Sequence, residues 1–352
     1  MMKFAVLVAG GTGGHINAAL ALGSSLEAKG YQILYLTGKR HLDYKLFKEK
    51  NTLHLNSKQL RTNNPLTLIK NIFQNCVSFI SIFFLYLRKR PEFIVGAGGY
   101  VCGPTLLAGY LQKIPIFILE QNAVMGLTNK ILGWISALIF VHFSRTKGLS
   151  QSLIKKVRVV GNPTRNEIQP VSAKKIEGNL KVLVFGGSLG ATQINKVIFD
   201  ILLGPPLENL SIHHQVGGGQ NAPEHKGSID YVPLEYIENI QKEYEWCDVI
   251  IARSGASTVS ELAIIKKPVL IFPYPQATDN HQFYNAQILK EESDFTVDII
   301  ESKTPHIESV KRTKEFLVKA SMEALKYSQV THSGNDTCSE VLKEIQDYVG
   351  TP

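Results

Sequence analysis

The stretch with the most chemical capacity is Gly10–His15, GGTGGH, which follows the apolar run Phe4–Val8 and precedes the helix-like stretch Ile16–Leu26. A buried strand that passes through glycines into a helix N-terminus makes a socket for an anion. Glycines let a ligand approach the backbone, first-turn amides point outward, and the helix dipole favours negative charge. His15 stands at the mouth of that socket. Its imidazole could bind, orient or deprotonate a substrate near neutral pH, or simply cap the helix.

Short apolar runs alternate with longer helical patterns, which is the pattern of a parallel sheet covered by helices. The first half offers strands at Phe4–Val8, Ile33–Leu36, Phe93–Val95, Ile116–Leu119 and Leu138–Val141. The second half offers Val182–Phe185, Ile212–Val216, Val249–Ala252 and Val269–Phe272. Leu7–His15 is echoed by Leu183–Ala191, LVFGGSLGA, again an apolar run, glycines and a helical pattern. The expectation is an α/β protein of two Rossmann-like domains whose parallel sheets face a cleft. The boundary is expected at Gly161–Arg165, giving a first domain over 1–162, joined by a C-terminal helix from 335–352, and a second over 163–334.

Composition narrows the function classes. At 352 residues with 44% hydrophobic and 19% charged, the chain has the length for two ordinary globular domains. Four scattered cysteines, Cys76, Cys102, Cys247 and Cys338, have neither zinc-ligand nor C-x-x-C spacing, as in a protein of a reducing compartment. The N-terminal apolar run reads as too short for a signal peptide, so the chain is expected in the cytoplasm. Residues 1–160 hold 20 Lys+Arg against 5 Asp+Glu, while the remainder holds 18 against 25. That segregation points the first half at something anionic: nucleic acid, anionic lipid or a phosphorylated substrate.

Several nucleotide motifs are missing. No glycine loop carries a full G-x-G-x-x-G with its helix and acidic residue, and Gly38-Lys39 is followed by Arg40 rather than Ser or Thr. Hydride-transfer and ATPase readings lose their main support. A nucleic-acid reading lacks any RRM, KH or helix-turn-helix pattern.

Four further stretches join the two glycine loops: GAGGYVCGP (Gly96–Pro104), EQN (Glu120–Asn122), GNPTR (Gly161–Arg165) and RSGASTVSE (Arg253–Glu261), the last followed by PYPQATDNHQ (Pro273–Gln282). In this order and over almost the whole length, the chain resembles the family of peripheral membrane glycosyltransferases that add N-acetylglucosamine to undecaprenyl-diphospho-N-acetylmuramoyl-pentapeptide, completing lipid II. The resemblance implies an inverting transferase of GT-B type that needs neither metal nor cofactor. It implies that Arg165, Ser188, Ala256, Ser257, Thr258, Val259, Ser260 and Glu261 hold the UDP part of the donor, with Glu261 on the ribose hydroxyls. Ile237 would make a backbone contact to uracil. Thr12, Gly13, Gly14, Asn122 and Gln282 would hold the N-acetylglucosamine.

Physical chemistry agrees for part of this set. Ser254–Ser257 follows a strand and precedes the apolar helix Val259–Ile265, so its amides can hold a diphosphate. Glu261, one turn in, can accept both hydrogen bonds of a ribose diol. The chain contains no Asp-x-Asp metal clamp, so the helix end and Arg165 would stabilise departing UDP. An inverting attack needs a base for the acceptor hydroxyl. His15 is the first candidate and Glu120 the second. The rival enzyme class is a UDP-sugar 2-epimerase, which shares the two-domain architecture.

Leu66–Arg90 shows two apolar stripes at helical spacing. Ile69, Phe73, Cys76, Ile80, Phe84 and Leu87 are expected to pack on their own domain. Ile72, Phe79, Phe83 and Tyr86, with Ile82 at their edge, are expected to face an anionic membrane beside Arg88, Lys89 and Arg90. Lys70, Asn71, Gln74 and Asn75 interrupt the run, which therefore reads as interfacial rather than spanning. A peripheral protein on the cytoplasmic face of the cell membrane is the expectation.

Overall fold

The computed structural model describes residues 3–164, 168–171, 176–187, 190–205, 207–224, 227–322 and 337–350. The chain forms two compact units, Met1–Asn166 with Asn335–Pro352, and Glu167–Gly334.

The first unit runs β1 (Lys3–Val8), α1 (Gly13–Ala28), β2 (Tyr31–Thr37), α2 (His41–Leu46), β3 (Thr52–His54), α3 (Pro65–Arg88), β4 (Phe93–Gly96), α4 (Cys102–Leu111), β5 (Ile116–Glu120), α5 (Leu127–Leu132), β6 (Leu138–Val141), α6 (Gln151–Ile154) and β7 (Val157–Val159). Its seven parallel strands lie in the order β3-β2-β1-β4-β5-β6-β7. Alternation along β1 divides the core in two: Ala5 and Leu7 join α1 on one face, while Phe4, Val6 and Val8 join α3 and α4 on the other. Gly23 lets α1 lie close on β2, because a Cβ there would fall 1.9 Å from the Tyr35 hydroxyl. The last helix of the chain (Thr337–Gly350) belongs to this unit. Its Val341, Leu342 and Ile345 are buried in the α1 face of the core, Glu344 pairs with Arg158 at 3.1 Å, and Tyr348 meets Phe117 edge-on. Burying three such aliphatic side chains stabilises the docking by about 1.5 to 3 kcal/mol each.

The second unit runs β8 (Leu180–Phe185), α7 (Thr192–Leu203), β9 (Leu210–Gln215), β10 (Asp230–Leu234), α8 (Ile240–Trp246), β11 (Val249–Ala252), α9 (Ala256–Ile265), β12 (Val269–Ile271), α10 (His281–Glu292), β13 (Val297–Ile299) and α11 (His306–Ser321). The C-terminal helix already described is therefore α12. Six parallel strands lie in the order β10-β9-β8-β11-β12-β13. Both sheets thus reverse their winding beside their first strand: between β1 and β4 in one, between β8 and β11 in the other. Ligands of such sheets bind at the carboxyl ends flanking that reversal. In the first sheet those ends are Val8 and Gly96, which pair directly, and in the second Phe185 and Ala252, which also pair directly. The glycine motifs begin at these four strand ends. The expected two Rossmann-like domains are what the chain builds.

α3 reverses one expectation. The stripe expected to pack on the domain faces outward: Ile69, Phe73, Ile80, Phe84 and Leu87 are all more than half exposed, and Cys76 is exposed. The stripe expected to face outward lies against the core, with Ile82 and Tyr86 buried and Phe79 and Phe83 packed beside them; only Ile72 is exposed. The physical reason is that both stripes are apolar, so periodicity alone could not choose the side that meets α4. At 24 residues α3 is long and apolar enough to cross a membrane. It nevertheless connects β3 to β4 within one sheet, and Gln112 donates to the Phe83 carbonyl while Asn75 and Lys58 exchange hydrogen bonds. Those ties hold it along the surface of the domain.

Candidate active site

In the first unit the site is built at the carboxyl ends of β1, β2, β4 and β5. Thr12 is the N-cap of α1, its hydroxyl 3.5 Å from the His15 amide. The first turn carries no acidic residue, and a Cβ on Gly13 would meet nothing within 4 Å, so Gly13 and Gly14 open the helix end to a ligand. The His15 ring turns back toward the strand. Its Nδ1 lies 3.3 Å from the Gly10 carbonyl, and its Nε2 lies against Gly98 Cα, where an added Cβ would fall 2.9 Å away. Gly98 (φ +111°) and Gly99 (φ +91°) form the turn beneath it, and a Cβ on Gly99 would collide with the Gly10 carbonyl at 2.0 Å. Glycine is required at both positions for that close approach. A carbonyl oxygen only accepts, so Nδ1 donates and Nε2 is the basic nitrogen of the neutral ring.

Glu120 ends β5 and is 2% exposed. Its Oε1 accepts from the Asn122 amide at 3.0 Å and from Asn122 Nδ2 at 3.2 Å. Its Oε2 accepts from the Gly126 amide and from Asn129 Nδ2, both at 2.9 Å. Four donors on one carboxylate make it the staple of the loop into α5, and Asn122 is thereby fixed in place. The His142 amide donates to the Glu120 carbonyl at 3.0 Å, and burial pushes its imidazole down to about 4, so that ring is neutral at pH 7.

In the second unit the corresponding loops leave β8, β9, β11 and β12. Ser188 and Arg165 lie outside the described residues. Gln215 joins two of the loops: its Nε2 donates to the Gly187 carbonyl at 2.6 Å, and its Oε1 accepts from the Ile237 amide at 3.3 Å. A pyrimidine taking that amide would displace the Gln215 oxygen. α9 starts at Gly255 with no side-chain cap and no acid in its first turn, leaving the end at Ala256, Ser257 and Thr258 suited to an anion. The buried Ser257 hydroxyl oxygen has no hydrogen-bond partner among the described residues, which marks a place where a ligand group would be satisfied. Val259 and Ser260 are buried instead, Val259 with its amide on Gly255 and Ser260 with its hydroxyl on Ala256, which puts both in the packing of the helix. Glu261 is 6% exposed, and its Oε2 accepts from the buried Tyr244 hydroxyl at 2.8 Å. A ribose would meet a carboxylate already aimed.

Gln282, in the first turn of α10, ties these loops together. Its Oε1 accepts from the Tyr274 amide at 3.0 Å and its carbonyl from the Ser254 hydroxyl at 2.7 Å. Arg253, the first residue of the RSGASTVSE stretch, braces the same region. Its Nη1 donates to Gln193 and to the Phe272 and Pro273 carbonyls at 2.9 to 3.0 Å, and burial lowers its pKa to about 10, still cationic at pH 7. Arg40, Gln215 and Tyr244 make contacts at these strand ends from outside any motif, and Tyr100 does so from within the Gly96–Pro104 stretch. His213 stacks on Trp246 and pairs with Glu243, and His214 is held between Tyr231 and Asn195, so both serve the fold.

Comparison with known proteins gives the same picture. Residues 5–141 match the glycosyltransferase family 28 N-terminal domain and residues 181–307 its C-terminal domain. The UDP-N-acetylglucosamine–N-acetylmuramyl-(pentapeptide) pyrophosphoryl-undecaprenol N-acetylglucosamine transferase of Francisella philomiragia is 32% identical, covering 99% of this chain and 98% of its own. That of Myxococcus xanthus is 35% identical over 82% of this chain and 78% of its own. A crystal structure of Acinetobacter baumannii MurG superposes with a TM-score of 0.74 at 27% identity, covering 98% of this chain and 99% of that one. Identity at this level with transferases decides against the epimerase reading. The chain has the GT-B fold and belongs to the glycosyltransferase family 28 N-acetylglucosaminyltransferases that act on undecaprenyl-diphospho-N-acetylmuramoyl-pentapeptide.

Proposed function

We propose that this chain transfers N-acetylglucosamine from UDP-N-acetylglucosamine to the 4-hydroxyl of the muramoyl unit of undecaprenyl-diphospho-N-acetylmuramoyl-pentapeptide, with His15 as the base. The observation that carries the reading is the His15 ring, held by Gly10 with its basic nitrogen over the second glycine turn. His15 Nε2 takes the acceptor proton as the hydroxyl attacks the anomeric carbon, and the C1–O bond to UDP breaks on the opposite face. The end of α9, with Ser257, stabilises the departing diphosphate, and Glu261 holds the ribose. Arg165 and Ser188 enter on the family resemblance. The relatives' names supply the donor and the lipid-linked acceptor.

A lipid-linked acceptor calls for a surface that reaches it. The outer stripe of α3, with Arg88, Lys89 and Arg90 at its end, supports peripheral binding to the anionic cytoplasmic face of the cell membrane. The basic first half is read as serving lipid and diphosphate, with no nucleic-acid role. The test is UDP release by the full chain with UDP-N-acetylglucosamine, with and without a short-chain lipid I analogue. Acceptor-dependent release supports the reading, and release independent of acceptor contradicts it.

A further inference from the structure

We infer that Arg40 is a positioning residue for the transfer, fixing the peptide that holds the His15 ring; the inference rests on the reading of His15 as the base. Arg40 is exposed, yet it is held both at its backbone and at its guanidinium. Its amide donates to Asp43 Oδ2 at 2.9 Å, and Asp43 is fully buried. Its guanidinium donates through Nη1 to the Gly11 carbonyl at 3.1 Å and lies over the Tyr100 ring, 4.9 Å from its centroid. A planar guanidinium can keep both contacts at once, whereas a lysine ammonium cannot reproduce the hydrogen bond and the stack together.

What it holds is the turn that aims His15. Gly11 has φ +93°, and a glycine there leaves the backbone its full freedom. The Gly10 carbonyl that receives His15 Nδ1 is bracketed on one side by the Gly10 amide, which donates to the Gly98 carbonyl at 3.3 Å, and on the other by Arg40 on Gly11. Rotation about Gly11 would swing that carbonyl away from the ring. Three loops, from β1, β2 and β4, therefore meet at Arg40 and Tyr100, and the preferred tautomer of His15 depends on their staying together. Tyr100 closes the bracket: its hydroxyl lies against Gly38, where a Cβ would fall 2.1 Å away.

The experiment compares the full chain with Arg40→Ala and Arg40→Lys, each alone and in a His15→Ala background. Turnover and KM for UDP-N-acetylglucosamine and a short-chain lipid I analogue are measured, together with the nitrogen NMR signals of the His15 ring. Both substitutions should lower turnover roughly 10- to 100-fold while leaving both KM values within about twofold. The ring should move from the Nδ1-protonated tautomer toward a mixture, and Arg40→Ala should cost nothing further once His15 is alanine. A raised acceptor KM with turnover kept, or a full Arg40 effect without His15, would overturn the inference by making Arg40 a substrate contact. Wild-type turnover in His15→Ala alone would instead sink the base reading, and an unchanged ring tautomer in Arg40→Ala would overturn the inference whatever the base proves to be.

Discussion

His15 Nδ1 stands 3.3 Å from the carbonyl oxygen of Gly10, the residue that opens its own glycine turn. A carbonyl can only accept, so this contact favours the Nδ1-protonated tautomer of the ring. The strand-to-helix passage that leaves a helix end open to an anion also orients this ring, and the β4 turn lies under it.

That packing gives a first expectation. Gly98→Ala would put a methyl group 2.9 Å from His15 Nε2 at a φ of +111°, so ring and turn must both shift. Turnover should fall by on the order of 10²-fold while UDP affinity, measured by calorimetry, stays at wild type. Unchanged turnover in a folded Gly98→Ala enzyme would separate the turn from the chemistry.

At the donor end, Glu261→Gln should weaken UDP binding, since a charge-assisted bond to a hydroxyl contributes about 1.5 to 3 kcal/mol. Tyr244→Phe should weaken it less, by removing only the hydroxyl that aims the carboxylate at 2.8 Å. Calorimetric titration with UDP checks both. Equal affinity in all three proteins would remove Glu261 from the ribose site.

Central strands were legible because burial on both faces leaves continuous apolar runs, as in Phe4–Val8 and Val249–Ala252. Edge strands β3, β10 and β13 were not. They are three to five residues long and partly exposed, and β10 contains Pro233. The glycine motifs identified the strand ends that matter, but the braces on those ends left no trace in the pattern. Arg253 and Gln215 act mainly on main-chain groups 19 to 28 residues away, and such partners have no sequence signature. The acidity of Glu120 is legible in its residue type, but the four hydrogen bonds it accepts from Asn122, Gly126 and Asn129 are not. On α3 the more exposed stripe is the one whose regular spacing looked like a core seam.

That reversal is testable. Phe73→Ser with Phe84→Ser removes two side chains 69% and 57% exposed, and should lower co-sedimentation with anionic vesicles at least tenfold while leaving UDP binding intact. Phe79→Ser should chiefly lower the unfolding temperature, because that ring packs on the domain core. Undiminished vesicle binding by the Phe73, Phe84 double variant would remove the outer stripe as the anchor.

Acid should destabilise both units. Burial lowers His142 and His214 to about 4 in the folded chain, against 6.5 for the ordinary imidazole. Between those values the unfolded chain binds more protons, so stability is present above about 6.5 and is lost as pH falls toward 4. Each ring contributes on the order of a few kcal/mol over that window. Denaturant titrations at pH 7 and pH 5 should show the decline, and NMR should show neither ring titrating above about pH 5. A ring titrating near 6.5 in the folded protein would contradict its assignment.

The most direct measurement is single-turnover transfer of labelled N-acetylglucosamine to a short-chain lipid I analogue by wild type and His15→Ala, with UDP affinity measured on the same preparations. Acceptor-dependent transfer by the wild type, falling on the order of 10²-fold or more in His15→Ala at unchanged UDP affinity, is the expected result. Transfer at the wild-type rate by His15→Ala would contradict the role of His15, and no transfer by the wild type to that acceptor would contradict the proposed activity itself.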